Sequence, residues 1–191
     1  MIKLVLATRN RGKLSEFAAL LAPLQVELEL MPDGIVVAED GKTYLENATR
    51  KASEVARRTG LQAVADDSGI EVDALDGEPG IHSARFLNGA PDGEKCARIL
   101  ELLSGSDRRG ARFVISLVLA DPDRIRFSVT AHVSGRIADQ PRGTNGFGYD
   151  PIFVPEGHDE TMAELSPAEK HRISHRGQAA RALIRYLKDA A

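Results

Sequence analysis

The segment Leu61-Gln62-Ala63-Val64-Ala65-Asp66-Asp67-Ser68-Gly69-Ile70-Glu71-Val72 carries an apolar run on each side of two adjacent carboxylates. The run into Asp66 reads as a strand, and the acidic pair marks where that strand is expected to break. Neighbouring carboxylates repel, so a fold that keeps both near a cleft supplies a cation. Mg²⁺ is the natural one for an all-oxygen site. The stretch Asp66-Asp67-Ser68-Gly69 also makes a solvated turn, since all three residue types are turn formers. The segments around it bear on that choice.

Immediately upstream, Thr43 and Glu46 have capping-box spacing. The helix they open carries Leu45, Ala48, Ala52, Val55 and Ala56, and Gly60 closes it. Earlier still, Ile2 to Ala7 reads as a buried strand. Leu14, Phe17, Ala18 and Leu21 recur at helical spacing up to Pro23, and Gln25 to Leu30 reads as a second strand. A loop with Gly34 and Gly41 follows. Downstream, a Gly- and Pro-rich loop runs from Asp73 to Asp92, and a helix is expected near Gly93 to Leu103. Ala111 to Ala120 and Arg124 to Val133 read as a hairpin joined by Asp121-Pro122-Asp123. The glycine-rich loop Gly143 to Gly148 leads into the apolar run Ile152-Phe153-Val154. Ser166-Pro167-Ala168-Glu169 then supplies an N-cap, a proline at the first helical position and a capping Glu. The final helix carries Ala179, Leu183, Tyr186 and Leu187. This alternation gives an α/β fold class, a mixed twisted sheet with flanking helices and an antiparallel portion in the middle. Two lobes around a central substrate cleft suit the pattern.

The 191 residues are 42% hydrophobic and 28% charged, ordinary for a soluble globular protein, and fit one domain over 1–191. No apolar run has the length of a membrane span. Met1 to Ala7 is too short for a signal peptide before the chain turns polar. The single Cys96 excludes an internal disulfide and a multi-thiolate zinc site. Together these features lead to the expectation of a cytoplasmic protein. A net charge of −3 argues against a polyanion-binding surface and leaves room for a local phosphate pocket.

Four segments carry chemistry beyond the aspartates. Thr8-Arg9-Asn10-Arg11-Gly12-Lys13 joins the first strand to the first helix. A helix N-terminus offers free backbone N–H groups and the positive dipole end, which suits phosphate. Its glycine spacing is not that of a Walker loop. Lys51 lies five residues after Glu46, so the two do not share a helix stripe, and a lone helical lysine is ordinarily solvated. In Gly146-Phe147-Gly148-Tyr149-Asp150 an aromatic between glycines leaves its ring face open for a purine, and the Asp can accept from base N–H groups. Lys170 with Ser174-His175-Arg176-Gly177 offers donors of fixed direction that suit the six-position carbonyl of a keto purine. Each also has a plain structural reading: a capped helix, a tight turn with a core Phe, or a helix-terminal charge cluster.

Taken in order, Leu6 to Lys13, Glu46-Asn47-Ala48, Ala65 to Gly69, Pro79-Gly80-Ile81-His82-Ser83-Ala84-Arg85, Gly146 to Pro151 and Ser174 to Gly177 resemble the motifs of the inosine triphosphate pyrophosphatase family, the dITP/XTP or non-standard purine nucleoside triphosphate pyrophosphatases. The resemblance spans nearly the whole chain. It implies an elongated mixed α/β fold with a central cleft, a homodimer, and Mg²⁺-dependent hydrolysis of ITP, dITP or XTP to the monophosphate and pyrophosphate. By matching position it implies that Thr8, Arg9, Asn10, Arg11, Gly12 and Lys13 hold the phosphates with help from Lys51. Arg9 contributes through its backbone. Asp67 would be the catalytic carboxylate and, with Glu39, a metal ligand. Ser68 and Arg85 would touch the substrate. Phe147, Gly148, Tyr149, Asp150, Lys170, His175 and Arg176 would form the nucleoside pocket.

The implied mechanism is attack on phosphorus by a water that Asp67, with or without Asp66, orients or deprotonates. Lys13 and Lys51 stabilise the leaving pyrophosphate. Three other readings compete. Septum-formation-inhibitor-like pyrophosphatases lack the Gly-Phe-Gly-Tyr-Asp and Ser-His-Arg stretches in these places. A non-catalytic nucleotide sensor is disfavoured by two carboxylates that would hinder triphosphate binding unless metal chemistry needs them. A module for nucleic acid polymers is disfavoured by the acidic balance, and nothing in the chain suggests a membrane partner.

Overall fold

The computed structural model describes residues 2–24 and 26–189. In chain order the elements are β1 (Ile2–Leu6), α1 (Arg11–Leu21), β2 (Val26–Leu30), α2 (Tyr44–Thr59), β3 (Ala63–Val72), α3 (Phe86–Gly89), α4 (Asp92–Leu102), β4 (Gly110–Ala120), β5 (Ile125–Ile137), β6 (Phe153–Pro155), α5 (Pro167–Ile173) and α6 (His175–Asp189). The strands form one six-stranded mixed sheet in the order β2-β1-β3-β4-β5-β6. β1 is parallel to β2 and β3, and β5 is antiparallel to β6. The expected class, a mixed sheet flanked by helices, is the observed one.

The chain clusters into two compact units, Met1–Asp67 with Ile115–Ala131 and Arg176–Ala191, and Ser68–Val114 with His132–His175. In the first unit, strand alternation builds two cores. Leu4, Leu6, Val64, Ile115, Leu117 and Leu119 pack with Phe17 and Leu21 of α1 and Ala179, Leu183 and Leu187 of α6. Their neighbours Val5, Ala7, Ala63, Ala65, Val118 and Ala120 pack with Ala48, Ala52, Val55 and Ala56 of α2. Successive side chains of a strand leave opposite faces, so these strands are buried on both. Each fully buried leucine contributes about 2 kcal/mol. α2 meets the sheet with alanines, which let its backbone come close. The second unit has its own core, in which Cys96, Ile99 and Leu103, within or just past α4, join Ile70, Val72, Phe113, Tyr149, Ile152 and Phe153.

α2 matches its sequence signals: Thr43 Oγ1 accepts from the Glu46 N–H, and left-handed Gly60 ends it. The expected break at Asp66 does not occur, because β3 runs unbroken from Ala63 to Val72. A strand tolerates both carboxylates when cations meet them, as described below. β5 extends to Ile137, beyond the expected end at Val133, with exposed and less exposed residues still alternating. The Gly/Pro-rich stretch is not wholly irregular. It holds short 3₁₀ turns and the one-turn α3, in which Leu87 and Asn88 are left-handed. Of the expected second strand, Gln25 lies outside the described residues.

Candidate active site

Register fixes the first part of the site. Leu6 of β1 pairs with Val64 of β3, so Asp66 lies two residues beyond that pair, level with Thr8. This is the C-terminal end of the parallel strands, where ligands of open α/β sheets gather. The loop leaving β1 is self-braced: Thr8 Oγ1 accepts from the Asn10 N–H, and Asn10 Oδ1 caps α1 by accepting from the Lys13 N–H, each at 3.1 Å. The first turn of a helix leaves backbone N–H groups without an intrahelical partner, at the positive end of the dipole. The Arg9 guanidinium donates to the Ile35 carbonyl at 3.1 Å and so ties down the loop that leads to Glu39. Arg11 is exposed and Gly12 partly so.

Parity then separates the two aspartates. Asp66 shares the face of Val64, towards α1 and α6. Its Oδ2 lies 2.8 Å from Lys13 Nζ and 3.5 Å from Arg176 Nη2. Arg176 also reaches Glu16 at 2.7 Å, and its guanidinium lies 5.8 Å from the centre of the Phe17 ring. Burial opposes ionisation of Asp66, but Lys13, Arg176 and Lys51 overcome it and hold the carboxyl well below the usual range. Burial lowers the Lys13 pKa although Asp66 works the other way.

Asp67 shares the face of Ala65, towards α2. The Asn47 amide donates to its Oδ2 at 2.9 Å. The same Asn47 accepts from the Gly41 N–H at 2.8 Å, which connects Asp67 to the loop of Glu39. One helical turn after Asn47, Lys51 Nζ lies 2.8 Å from Glu39 Oε1 and 3.9 Å from Asp67 Oδ1. Burial pushes the Asp67 carboxyl up, against the pull of Lys51 and the Asn47 hydrogen bond. Burial disfavours the Lys51 charge, yet Asp66, Glu39 and Asp67 outweigh it and raise its pKa. One face of the strand therefore holds a firmly ionised carboxylate, and the other holds one readier to take a proton.

The second unit holds the rest of the expected residues. Asp150 and Lys170, both buried, form an ion pair at 2.5 Å. Asp150 Oδ2 also accepts from the Phe147 N–H at 2.8 Å, and the Lys170 ammonium lies 5.2 Å from the centre of the Phe147 ring. A side chain at Gly146, whose φ is +78°, would overlap both the Asp150 carboxylate and the Lys170 ammonium. Tyr149 is buried and donates to the Ser83 carbonyl at 2.8 Å. His175 stacks on Phe113 with centroids 4.9 Å apart and planes 12° apart, which fixes its ring. Ser68 is partly buried, and Arg85 is exposed at the start of α3.

Thus Thr8 to Lys13, Glu39, Lys51, Asp67 and Arg176 fall in one unit, and Ser68, Arg85, Phe147 to Asp150, Lys170 and His175 in the other. Arg176 was expected beside His175 in a nucleoside pocket. The structure sets its guanidinium on Asp66 and Glu16. Sequence reading gave no role to Glu16, Asn47 or Asp92, although Asn47 stands in the Glu46-Asn47-Ala48 motif. Lys13 to Glu16 and Asn47 to Lys51 have helix-face spacing and could have been found that way. Asp92, whose contact is 56 residues away, left no local signal.

Among the described residues no helix is long and apolar enough to cross a membrane, and no three or more His, Cys, Asp or Glu gather as metal ligands. Residues 4–186 match the family model described as the Ham1 family. The chain is 49% identical over 181 residues to a dITP/XTP pyrophosphatase of Gloeobacter violaceus, covering 95% of this chain and 92% of that protein. The solved structure of a HAM1 protein from Coxiella burnetii superposes with a TM-score of 0.85 at 41% identity, over 99% of this chain and 100% of that one. The Staphylococcus aureus Ham1 protein does so with a TM-score of 0.87 at 37% identity and the same coverage.

Proposed function

This chain belongs to the Ham1 family, and on that footing we propose that it hydrolyses non-standard purine nucleoside triphosphates to the monophosphate and pyrophosphate, clearing ITP, dITP and XTP from the nucleotide pool. The names of its relatives supply the substrate class. The observation that carries the chemistry is the divided acidic pair in the middle of β3, with Lys13 on Asp66 and Lys51 between Asp67 and Glu39. The family model covers residues of both units, which supports a single catalytic domain.

In this reading the α1 N-terminus, Lys13 and Lys51 bind the triphosphate. Asp67 accepts a proton from a water as the water oxygen bonds to the α-phosphorus. The bond from that phosphorus to the bridging oxygen breaks, and pyrophosphate leaves towards the lysine ammonium groups, which stabilise its charge. Asp66 stays ionised and holds Lys13 and Arg176 in place. Phe147 offers its ring to the base, and Lys170 and His175 donate to the keto edge.

The residues fit Mg²⁺. Lys51 already lies within ion-pair distance of both Glu39 and Asp67, so these carboxylates share a place for positive charge. One or two carboxylates plus substrate phosphates are the usual Mg²⁺ donor set. Asp67 and Glu39 would hold the ion, which when bound neutralises phosphate charge. A homodimer and a cytoplasmic setting belong to the same proposal and rest on the family resemblance. Sedimentation and cell fractionation test them.

A pyrophosphate-release assay over ATP, GTP, ITP, dITP and XTP, with and without Mg²⁺, tests the activity. Expected is release from ITP, dITP and XTP only with metal, and little from ATP. Equal turnover of ATP, or none of any purine, overturns the reading.

A further inference from the structure

Gly148, the residue after Phe147, is held at both ends of its backbone by one helix. Its N–H donates to Asp92 Oδ2 at 2.8 Å, and its carbonyl accepts from Cys96 Sγ at 3.4 Å. Asp92 and Cys96 are four residues apart on α4, so both grips come from one stripe. An N–H and a carbonyl of the same residue lie in successive peptide planes. Fixing both fixes the torsion between them, which matters at a left-handed glycine such as this one, with φ of +65°.

The acceptor is itself anchored. Lys95 Nζ lies 3.7 Å from Asp92 Oδ1 and donates to the Ala84 carbonyl at 2.9 Å. One residue before Ala84, the Ser83 carbonyl takes the Tyr149 hydroxyl at 2.8 Å. On the other side of Phe147, Asp150 takes the Phe147 N–H. The backbone N–H groups of Phe147 and Gly148 thus end on two different carboxylates. The ring between them is half-buried beside the Lys170 ammonium, and these two N–H anchors set the backbone from which it projects.

We propose that Asp92, seconded by Cys96, is a positioning residue for base selection: α4 sets the direction in which the Phe147 ring is presented to the purine. The proposal rests on the activity reading above. Its location separates it from a core role. The Asp92 side chain is 53% exposed, whereas α4 supports the core through Ile99 and Leu103. Burial keeps the Cys96 thiol protonated and therefore a donor.

The test uses Asp92→Ala and Asp92→Asn in the full chain, the second because an amide oxygen still accepts from Gly148. Asp92→Ala should raise KM for ITP about three- to tenfold, with kcat within about twofold, as losing one hydrogen bond of ordinary worth implies. It should narrow the ratio of kcat/KM for ITP over ATP, and Asp92→Asn should recover most of both. In nucleotide-free protein, hydrogen exchange of the Gly148 amide should speed up in Asp92→Ala and not in Asp92→Asn. Unchanged KM and selectivity in Asp92→Ala overturn the proposal, as do equal defects in the two variants or a fall in kcat alone. If the wild type releases pyrophosphate from no purine triphosphate, the activity reading falls and takes the selectivity claim with it. Unchanged Gly148 exchange in Asp92→Ala instead overturns the positioning claim by itself.

Discussion

Asp66 and Asp67 are consecutive in β3, yet their carboxylates serve different helices: Asp66 meets Lys13 of α1 at 2.8 Å, and Asp67 meets the Asn47 amide of α2 at 2.9 Å. Strand parity alone brings this about. It divides what would be one repulsive pair into two sites of opposite character.

Exchanging each carboxylate for an amide should therefore give different defects. Asp67→Asn should keep the fold and lose at least about 100-fold in kcat, since it removes the proton acceptor. Circular dichroism and a pyrophosphate assay together check this, and near-normal turnover would remove Asp67 from its role.

Asp66→Asn should instead cost stability, about 3 kcal/mol at neutral pH, because Lys13 and Arg176 lose their buried partner. Asp66 is held below its ordinary pKa, so its stabilisation is full above the unfolded carboxylate value of about 3.9 and fades as pH falls below it. Denaturant unfolding at pH 7 and in acid should show the gap between wild type and variant shrinking on acidification. A gap that is constant or grows would contradict the assignment.

Lys51→Met should leave Glu39 and Asp67 facing each other without their shared cation. Added Mg²⁺ should then raise the melting temperature of the variant more than that of the wild type, measured against chelator controls. An equal rise in both would place the metal elsewhere.

His175→Ala and Arg176→Ala should part company. His175, stacked on Phe113, should on removal narrow the preference for ITP over ATP. Arg176, set on Glu16 and Asp66, should on removal lower turnover for every purine and lower stability as well. Identical substrate profiles for the two variants would count against this division.

Cys96 should resist alkylation in the native protein. Burial first, then Asp92 and Asp150, push its pKa up to about 12, so at pH 8 almost no thiolate is present. Iodoacetamide labelling should be slow until denaturant is added and fast thereafter. Rapid native labelling would show an exposed, ionised thiol.

Local signals made much of this fold legible. Thr43, Glu46 and Gly60 bound α2, and Asp121-Pro122-Asp123 turns the β4–β5 hairpin, because capping and turn chemistry act within a few residues. The strand break misread at Asp66 had the opposite origin. The cations that make a continuous strand tolerable come from Lys13, Lys51 and Arg176, on other elements of the fold. The contact of Arg176 with Glu16 was hidden for the same reason, the two being 160 residues apart. Motif resemblance named the candidate residues. It could not say which aspartate faces which helix, since that follows from register and parity, which appear only once strands pair.

The alanine face of α2 has a bearing on how such a protein drifts over generations. Ala48, Ala52 and Ala56 are fully enclosed, and Lys51 sits on the same helix. One extra methyl in that layer would lift the helix and carry the ammonium with it. Small changes on this buried face, beside Asn47 and Lys51 in sequence, would then move the ammonium relative to Glu39 and Asp67, so the tolerance of this enzyme to substitution is written in the thickness of its floor.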